Sequence, residues 1–189
     1  ARGIDQSVAS GIFDTMAKFA GYGFNKSHGA AYSVISVQTA WLKAHWPVDF
    51  YAALLTSEIG GDDDKIAMYF DETRAEGIRI LPPDVNSSGV HFTPDGDDIR
   101  FGMSAIKGVG TAAVESILAE RAERGPFRTL QDFVTRCDKR MINSRAIECL
   151  IKCGVFDSIS AANRPSLLAA LPELAGLAGT ARRDASDPQ

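Results

Sequence analysis

The chain has 189 residues, of which 45% are apolar and 23% charged, and its net charge is −4. These values are typical of a soluble globular protein, and the length allows one large domain or two small ones. No apolar run approaches the roughly 20 residues that cross a bilayer, and no signal-peptide pattern opens the chain. We therefore expect a cytoplasmic protein with no membrane partner. Because the first residue is Ala1, we also expect a processed chain or a piece of a longer one.

The charge is unevenly distributed along the chain. Residues 58–98 carry three Lys or Arg against eleven Asp or Glu, whereas residues 99–157 carry ten against seven. A basic stretch in an acidic protein is expected where one module contacts nucleic acid. A solvated face of mixed charge explains the same counts equally well, so both interpretations stay open.

Apolar periodicity predicts a mainly α fold with one small β-hairpin. The predicted helices of the first part cover residues 5–19, 27–45, 48–59 and 64–76. A two-glycine loop at residues 20–24 separates the first two, and Asp62 and Gly77 are expected to cap the fourth. The hairpin pairs residues 90–93 with 99–102 around the turn at residues 94–97. Helical patterns resume from Met103, a last short helix covers 165–171, and the rest reads as a linker.

The start of the second predicted helix has the features of an anion-binding site. Ser27 is a preferred N-cap residue, and a helix N-terminus offers unpaired N–H groups with a partial positive charge. Lys26 and His28 add cationic side chains at the same end, where the helix dipole disfavours them unless an anion is bound. His28 and Tyr32, four residues apart, share one face. The alternative is a solvent-facing lysine, a capping serine and a tyrosine packed against a neighbouring domain.

A second candidate site is a helix-hairpin-helix motif. The apolar residue Ile106 and the turn at residues 107–110 precede a helical pattern. The backbone N–H groups of such a turn can bind one DNA phosphate, and this contact does not depend on the base sequence. Lys107 would add a charged contact, and Thr111 could cap the helix. The residues that we assign to this contact are Lys107, Gly108, Val109, Gly110 and Thr111.

A degenerate second copy of the motif is predicted around the turn at residues 153–157. Phe156 stands there where the first copy has its second glycine. We expect that copy to maintain the symmetry of the fold rather than to bind phosphate. For the first copy, a simple tight turn remains the alternative to a DNA contact.

Several strings in this order resemble the alpha subunit of bacterial DNA polymerase III. They are YGFNKSHGAAY at 22–32, WLKAH at 41–45, ILPPDVN at 80–86, AIKGVG at 105–110 and LIKCGVFD at 150–157. The resemblance runs from about residue 3 to residue 171. It implies the later part of a fingers domain over residues 1–98, a tandem helix-hairpin-helix module over 99–171, and a linker or tail over 172–189.

The resemblance also implies a function and its site residues. In a replicative DNA polymerase, the residues that would bind an incoming dNTP are Asn25, Lys26, Ser27, His28 and Tyr32. Lys26 and the backbone of Ser27 and His28 would hold the β and γ phosphates, Asn25 would orient the loop, and Tyr32 would lie near the sugar or base pair. His28, or alternatively Lys26, would be the general acid for the departing pyrophosphate. The expected partners are primer-template DNA, dNTP, and other replicase subunits and the sliding clamp through regions mostly outside this chain. The expected location is the cytoplasm, in association with the nucleoid.

The residues that would hold Mg²⁺ are expected outside this chain. The family's metal-binding aspartates belong to the palm domain, upstream of the present sequence, and the run Asp62-Asp63-Asp64 is better explained by helix capping and solvated charge. No residue here is therefore assigned to a metal, and the fragment is expected to be inactive alone. The alternative function is a stand-alone, non-enzymatic module that binds DNA independently of its sequence.

Overall fold

The computed structural model describes residues 3–22, 26–138 and 140–173, with the backbone alone for Tyr22 and Lys26. Residues 1–45 and 46–189 form two compact units, each described by itself below. Both are built mainly from α-helices, and a small sheet lies in the second unit. The predicted fold class is therefore confirmed.

The first unit consists of two helices, α1 (Gln6–Tyr22) and α2 (Lys26–His45). The backbone and side-chain oxygens of Asp5 accept hydrogen bonds from Ala9 and Ser7 at the start of α1. The prediction of a loop over residues 20–24 was wrong in its first part, because α1 continues through Gly21 to Tyr22. A glycine costs a helix only about 1 kcal/mol relative to alanine, which does not suffice to end a helix.

Apolar side chains of α1 and α2 lie exposed in large numbers. Phe13, Met16 and Phe19 of α1 are 63–73% exposed, and Trp41 of α2 is 51% exposed. The group also includes Val8, Ile12, Val34, Ile35, Val37 and Leu42. Exposed apolar side chains in such number are typical of a region that packs against other apolar surface.

The second unit begins with α3 (Pro47–Ser57) and α4 (Asp63–Ala75). Asp62 caps α4, since its carboxylate accepts a hydrogen bond of 2.9 Å from the backbone N–H of Asp64. Gly77 follows the helix with φ +81°, a left-handed conformation that favours glycine. Both predicted caps of this helix are confirmed.

A three-stranded sheet follows, with β1 (Ile80–Leu81), β2 (Thr93–Asp95) and β3 (Asp98–Arg100). β2 and β3 form an antiparallel hairpin at the predicted place, in which Thr93 pairs with Arg100 and Asp95 with Asp98. The predicted bounds were wrong, because Pro94 and Asp95 belong to β2 and Asp98 to β3, so that the turn is limited to residues 96–97. β1 pairs in parallel with the other side of β3, so the strand order is β1-β3-β2. The sequence analysis missed β1 because two apolar residues before a Pro-Pro pair carry no strand periodicity.

The remaining helices enclose the larger apolar core. After a single 3-10 turn (Met103–Ala105) come α5 (Thr111–Arg124), α6 (Leu130–Arg136), α7 (Ser144–Cys153) and α8 over residues 164–173. Phe133 lies at its centre, fully buried, with its ring edge-on to those of Phe127 (5.1 Å) and Phe156 (4.9 Å between centroids). Cys137 is also part of this core, whereas Cys153 is exposed.

The loop that follows β1 is tied into these helices by hydrogen bonds. Asn86 donates to the carbonyl of Phe127 and accepts from its N–H, each at 2.8 Å. The guanidinium of Arg121 donates to the carbonyls of Val85 and Ser88. Residues before 98 are thus bonded to the helices that follow, and the functional boundary placed at residue 98 stays a prediction.

Glu120 on α5 contacts two arginines, Arg124 on the same helix and Arg136 on α6, and the second contact joins the two helices. Its carboxylate lies 2.5 Å from Arg124 and 2.9 Å from Arg136, and the Glu120 and Arg136 side chains are only 13% and 10% exposed. The hydrogen bond from Arg124, and then that from Arg136, holds the pKa of Glu120 below its ordinary value. A carboxyl whose pKa is lowered by folding stabilises the fold above its unfolded pKa and loses that contribution in acid.

We therefore expect Glu120→Gln to lower the free energy of unfolding at pH 7 by about 1–3 kcal/mol. As the pH falls below about 4.3, the ordinary pKa of glutamate, the difference from wild type should shrink because the wild-type carboxylate is protonated. Urea unfolding between pH 3 and 7 measures this. Glu115→Gln, at an exposed position of the same helix, should change little; equal losses in both variants would contradict the role of the arginine contacts.

Candidate nucleic-acid interface

The hairpin before α5 is held by two buried apolar side chains. Ile106 and Val109 are 3% and 6% exposed, and the N–H of Val109 donates to the carbonyl of Ile106 at 3.1 Å. Between and after them, Lys107, Gly108 and Gly110 are exposed. The buried anchors thus present the polar backbone of the turn to solvent. Because the side chain of Val109 is buried, only the backbone of this residue can contact a ligand.

Gly108 is required by the turn for two reasons. Its φ is +87°, which favours glycine, and a Cβ at this position would lie 2.8 Å from Sγ of Cys149 on α7. The hairpin therefore rests closely on α7. This close contact with α7 fixes the position of the turn relative to the core of the module, in addition to the buried side chains of Ile106 and Val109.

The N-terminus of α5 has no side-chain cap. Gly110 is the N-cap residue and Thr111 is the first helical residue, so the prediction that Thr111 caps the helix was wrong. The first turn contains no acidic residue, and Gly110, Thr111 and Ala112 are exposed. An uncapped helix N-terminus with exposed N–H groups attracts an anion such as a phosphate.

The turn at the end of α7, predicted as a degenerate second copy, is closed by an ion pair. Gly154 has φ +83°, and the space beside its Cα is filled by the guanidinium of Arg164. Arg164 donates to Asp157 at 2.6 Å and to the carbonyl of Lys152 at 3.2 Å. Phe156 is fully buried. The turn contributes to the core and presents a carboxylate where a phosphate would need positive charge.

A closer internal repeat lies at the start of α7 and was missed in the sequence analysis. Residues 142–151 match residues 109–118 at an offset of 33, and eight of the ten pairs share the same burial: Ala146 corresponds to Ala113, and Leu150 to Ile117. Arg140 then corresponds to Lys107. A comparison of the chain with itself would have found this repeat, whereas a search for Gly-x-Gly could not, because Asn143 replaces the second glycine.

The two starts differ in capping. The Asn143 side chain accepts a hydrogen bond of 2.9 Å from the N–H of Ala146, and Arg140 is paired with Asp138 at 3.0 Å. At the start of α5, by contrast, no side chain of the N-cap residue accepts a hydrogen bond from a helical N–H group. Both basic side chains have an acidic partner, since Lys107 pairs with Asp63 as Arg140 does with Asp138. Because of its open helical N–H groups, the first hairpin is the better candidate phosphate site of the two.

The predicted anion site of the first unit is described only in part. Residues 23–25, including Asn25, lie outside the described residues. α2 begins at Lys26, so Ser27 lies in the first turn rather than at the predicted capping position. The rings of His28 and Tyr32 are in contact with centroids 4.3 Å apart, as their spacing predicted, and both side chains are exposed. The first turn contains no acidic residue.

Within residues 3–22, 26–138 and 140–173, no three His, Cys, Asp or Glu side chains come together as a potential metal site. In the same part of the chain, no helix combines the length and apolar character needed to span a bilayer.

Comparison with known proteins decides the relationship. A family model described as a helix-hairpin-helix motif matches residues 77–167. Annotated DNA polymerase III alpha subunits match most of the chain: that of Thermus aquaticus is 50% identical over 173 residues, and that of Neisseria meningitidis serogroup B is 52% identical over 169 residues. The chain is homologous to a segment of the DNA polymerase III alpha subunit.

The segment is a small part of these relatives. The alignments cover 92% and 89% of the present chain but only 14% and 15% of the two subunits. For the alpha subunit of Caulobacter vibrioides, 44% identical, the corresponding shares are 97% and 16%. The chain thus spans about one seventh of the length of the relatives it matches. The resemblance read from the sequence strings is confirmed, and so is the helix-hairpin-helix motif.

Proposed function

We propose that this chain is a segment of a replicative DNA polymerase, and that it holds two phosphate-bearing partners of the reaction. The helix-hairpin-helix module would bind the backbone of duplex DNA, and the start of α2 would bind the triphosphate of the incoming dNTP. The observation that carries the proposal is the exposed, uncapped start of α5 beside Lys107, in a chain half identical to DNA polymerase III alpha subunits.

The DNA contact follows from the geometry of the first hairpin. Gly110 leaves the N–H groups of the first turn of α5 open to solvent, and Lys107, 84% exposed, can add an ionic contact. Phosphates repeat identically along the duplex, so such a site binds without regard to base sequence. Its affinity must fall with salt, because each neutralised phosphate releases counterions.

We expect Lys107→Ala to weaken the binding of the 189-residue chain to duplex DNA about 3- to 10-fold at 0.1 M salt. The slope of log K against log salt should become shallower by about 1, equally for duplexes of unrelated sequence. Fluorescence anisotropy between 50 and 300 mM salt measures both quantities. The whole chain is used because Asn86 and Arg121 tie the segment before residue 98 into the module.

Arg74→Ala is the matched control. It removes the same charge near the end of α4, where Arg74 pairs with Asp71, about 16 Å along the helix from Asp63. Its DNA affinity should stay at the wild-type value. If Lys107→Ala bound DNA like wild type at every salt concentration, the assignment of the hairpin to the DNA backbone would be refuted.

The nucleotide contact is proposed for Asn25, Lys26, Ser27, His28 and Tyr32. The start of a 20-residue helix with no acid in its first turn supports a triphosphate there, since the dipole and the basic side chains then favour the same anion. Tyr32, in contact with the His28 ring, would lie beside the sugar or base of the nucleotide.

The chemical role of this segment would be to position groups and stabilise charge. In phosphoryl transfer the protein gains most from holding the phosphates in line and offsetting the charge that develops on them. His28 is proposed to donate a proton to the departing pyrophosphate. Mg²⁺, held by carboxylates outside this chain, would supply further charge stabilisation, and the segment alone would not polymerise nucleotides.

The second candidate function is a stand-alone module that binds DNA without catalysis. The observation that favours this function is the hairpin before α5, because a DNA contact there requires no bound nucleotide. The anisotropy of a fluorescent dNTP, measured with the 189-residue chain in the presence of DNA, distinguishes the polymerase segment from the stand-alone module. If the chain binds the dNTP and Lys26→Ala weakens that binding, the polymerase assignment is supported. If no dNTP binds and the nucleotide leaves DNA binding unchanged, the stand-alone module is supported.

A further inference from the structure

The exposed lysine of the DNA hairpin has an acidic partner from another element. Nζ of Lys107 lies 2.5 Å from Oδ2 of Asp63, the first residue of α4, although the two residues are 44 positions apart in sequence. Asp63, Ile59 and Ile66 form one side of a groove of about 400 Å³ whose other side is the hairpin itself, residues 104–111. The acidic start of α4 therefore lies directly beside the proposed DNA contact.

The carboxylates of Asp62 and Asp63, two of the three aspartates at this helix start, make different contacts. The carboxylate of Asp62 is committed to the helix, since it accepts the backbone N–H of Asp64. Asp63 is the one whose carboxylate reaches Lys107, and its side chain remains 69% exposed. Capping and the helix dipole explain acidic residues at this end, but they do not require a contact with the hairpin.

A DNA phosphate and the Asp63 carboxylate compete for the same ammonium group. Both are anions, and placing them together within a few ångströms of Lys107 adds a repulsion that opposes part of the new attraction. The existing ion pair is exposed, and pairs of this kind contribute little to folding stability. Its main energetic consequence is thus expected in binding rather than in the fold.

We infer that Asp63 is a built-in competitor of DNA, which a backbone phosphate must displace from Lys107, and which thereby lowers the affinity of the hairpin. This inference rests on the proposed DNA contact and adds a regulatory residue to it. A hairpin weakened in this way releases the duplex readily, as is required of a contact that must be exchanged each time the DNA moves forward.

The test is duplex DNA binding by the 189-residue variant Asp63→Asn, which keeps the size of the side chain and removes its charge. We expect binding 2- to 5-fold tighter than wild type at 50 mM salt, with the difference vanishing near 0.5 M salt because of screening. Asp64→Asn is the matched control, with the same charge change one residue further along α4. It should tighten binding by clearly less, since no ion pair connects it to the hairpin among the described residues.

The double variant Lys107→Ala/Asp63→Asn separates the possible outcomes. It should bind DNA like Lys107→Ala alone, because the competitor has lost its target. If Lys107→Ala weakens binding while Asp63→Asn binds like wild type, the competition is refuted and the DNA contact stands. Equal tightening by Asp63→Asn and Asp64→Asn, or tightening that persists in the double variant, overturns it in favour of a general charge effect. If Lys107→Ala itself has no effect, the DNA contact and the inference both fail.

Discussion

Replacing Gly108 with alanine is expected to displace the hairpin before α5 and to destabilise the module by about 2–5 kcal/mol. The left-handed backbone at φ +87° is strained for alanine, which costs roughly 1–2 kcal/mol. The new Cβ would also lie 2.8 Å from Sγ of Cys149, and overpacking of this kind typically costs another 1–3 kcal/mol. Because the hairpin rests on α7 at this point, DNA affinity should fall at least 10-fold even in the folded fraction.

Gly110→Ala is the informative comparison for this prediction. Gly110 has an ordinary φ of −75°, and a Cβ there would meet no atom within 4 Å. We expect its unfolding free energy to stay within about 0.5 kcal/mol of wild type, while DNA affinity falls several-fold because the methyl group stands beside the open N–H groups. Urea unfolding and DNA titration measure the two quantities separately. Wild-type stability of Gly108→Ala, or wild-type DNA binding by both variants, would contradict the geometry described.

If the proposed function is correct, Lys26→Ala in the full-length protein that contains this segment lowers kcat/KM for the incoming dNTP about 100-fold. At 1.36 kcal/mol for each factor of ten, this corresponds to about 2.7 kcal/mol of transition-state stabilisation. The physical reason is that negative charge spreads over the phosphates as the bond breaks, at the end of a helix whose dipole already favours an anion. Steady-state primer extension with varied dNTP gives both kcat and KM.

Lys43→Ala controls for the loss of charge on the same helix. Lys43 lies in the last turn of α2, about 26 Å along the axis from Lys26 at 1.5 Å per residue. Its kcat/KM should change less than 3-fold. A Lys26→Ala enzyme with unchanged kcat and KM would remove the basis for a triphosphate site at the start of α2, without affecting the assignment of the hairpin to DNA.

Features that depend on near neighbours were predictable from the sequence. The cap of α4 by Asp62, the left-handed Gly77, the β2–β3 hairpin and the contact of His28 with Tyr32 each involve residues within a few positions of one another. Local steric and hydrogen-bonding preferences decide such features. The motif strings were equally local, and they were sufficient to identify the relationship to DNA polymerase III alpha subunits.

Two glycines show how strongly the role of a residue depends on its surroundings. Gly21 was predicted as a loop residue, and Gly154 as part of a degenerate hairpin copy, from the presence of glycine and its near neighbours. The structure shows Gly21 inside α1, and Gly154 covered by the ion pair of Arg164 with Asp157. The neighbouring residues in the sequence do not reveal either environment. A helix tolerates a single glycine, so Gly21 need not end α1, and the ion pair that covers Gly154 forms only because the folded chain brings Arg164 to it.

The sequence by itself therefore determined the mainly helical class of this protein, its helix-hairpin-helix motif and the residue types of its two proposed phosphate sites. Only the tertiary structure decided the surroundings of the proposed DNA site. It placed Cys149 beneath Gly108, left the start of α5 uncapped while Asn143 caps α7, and brought Asp63 to Lys107 across 44 residues. These contacts join residues far apart in the chain, and only the packing of the core brings such residues together.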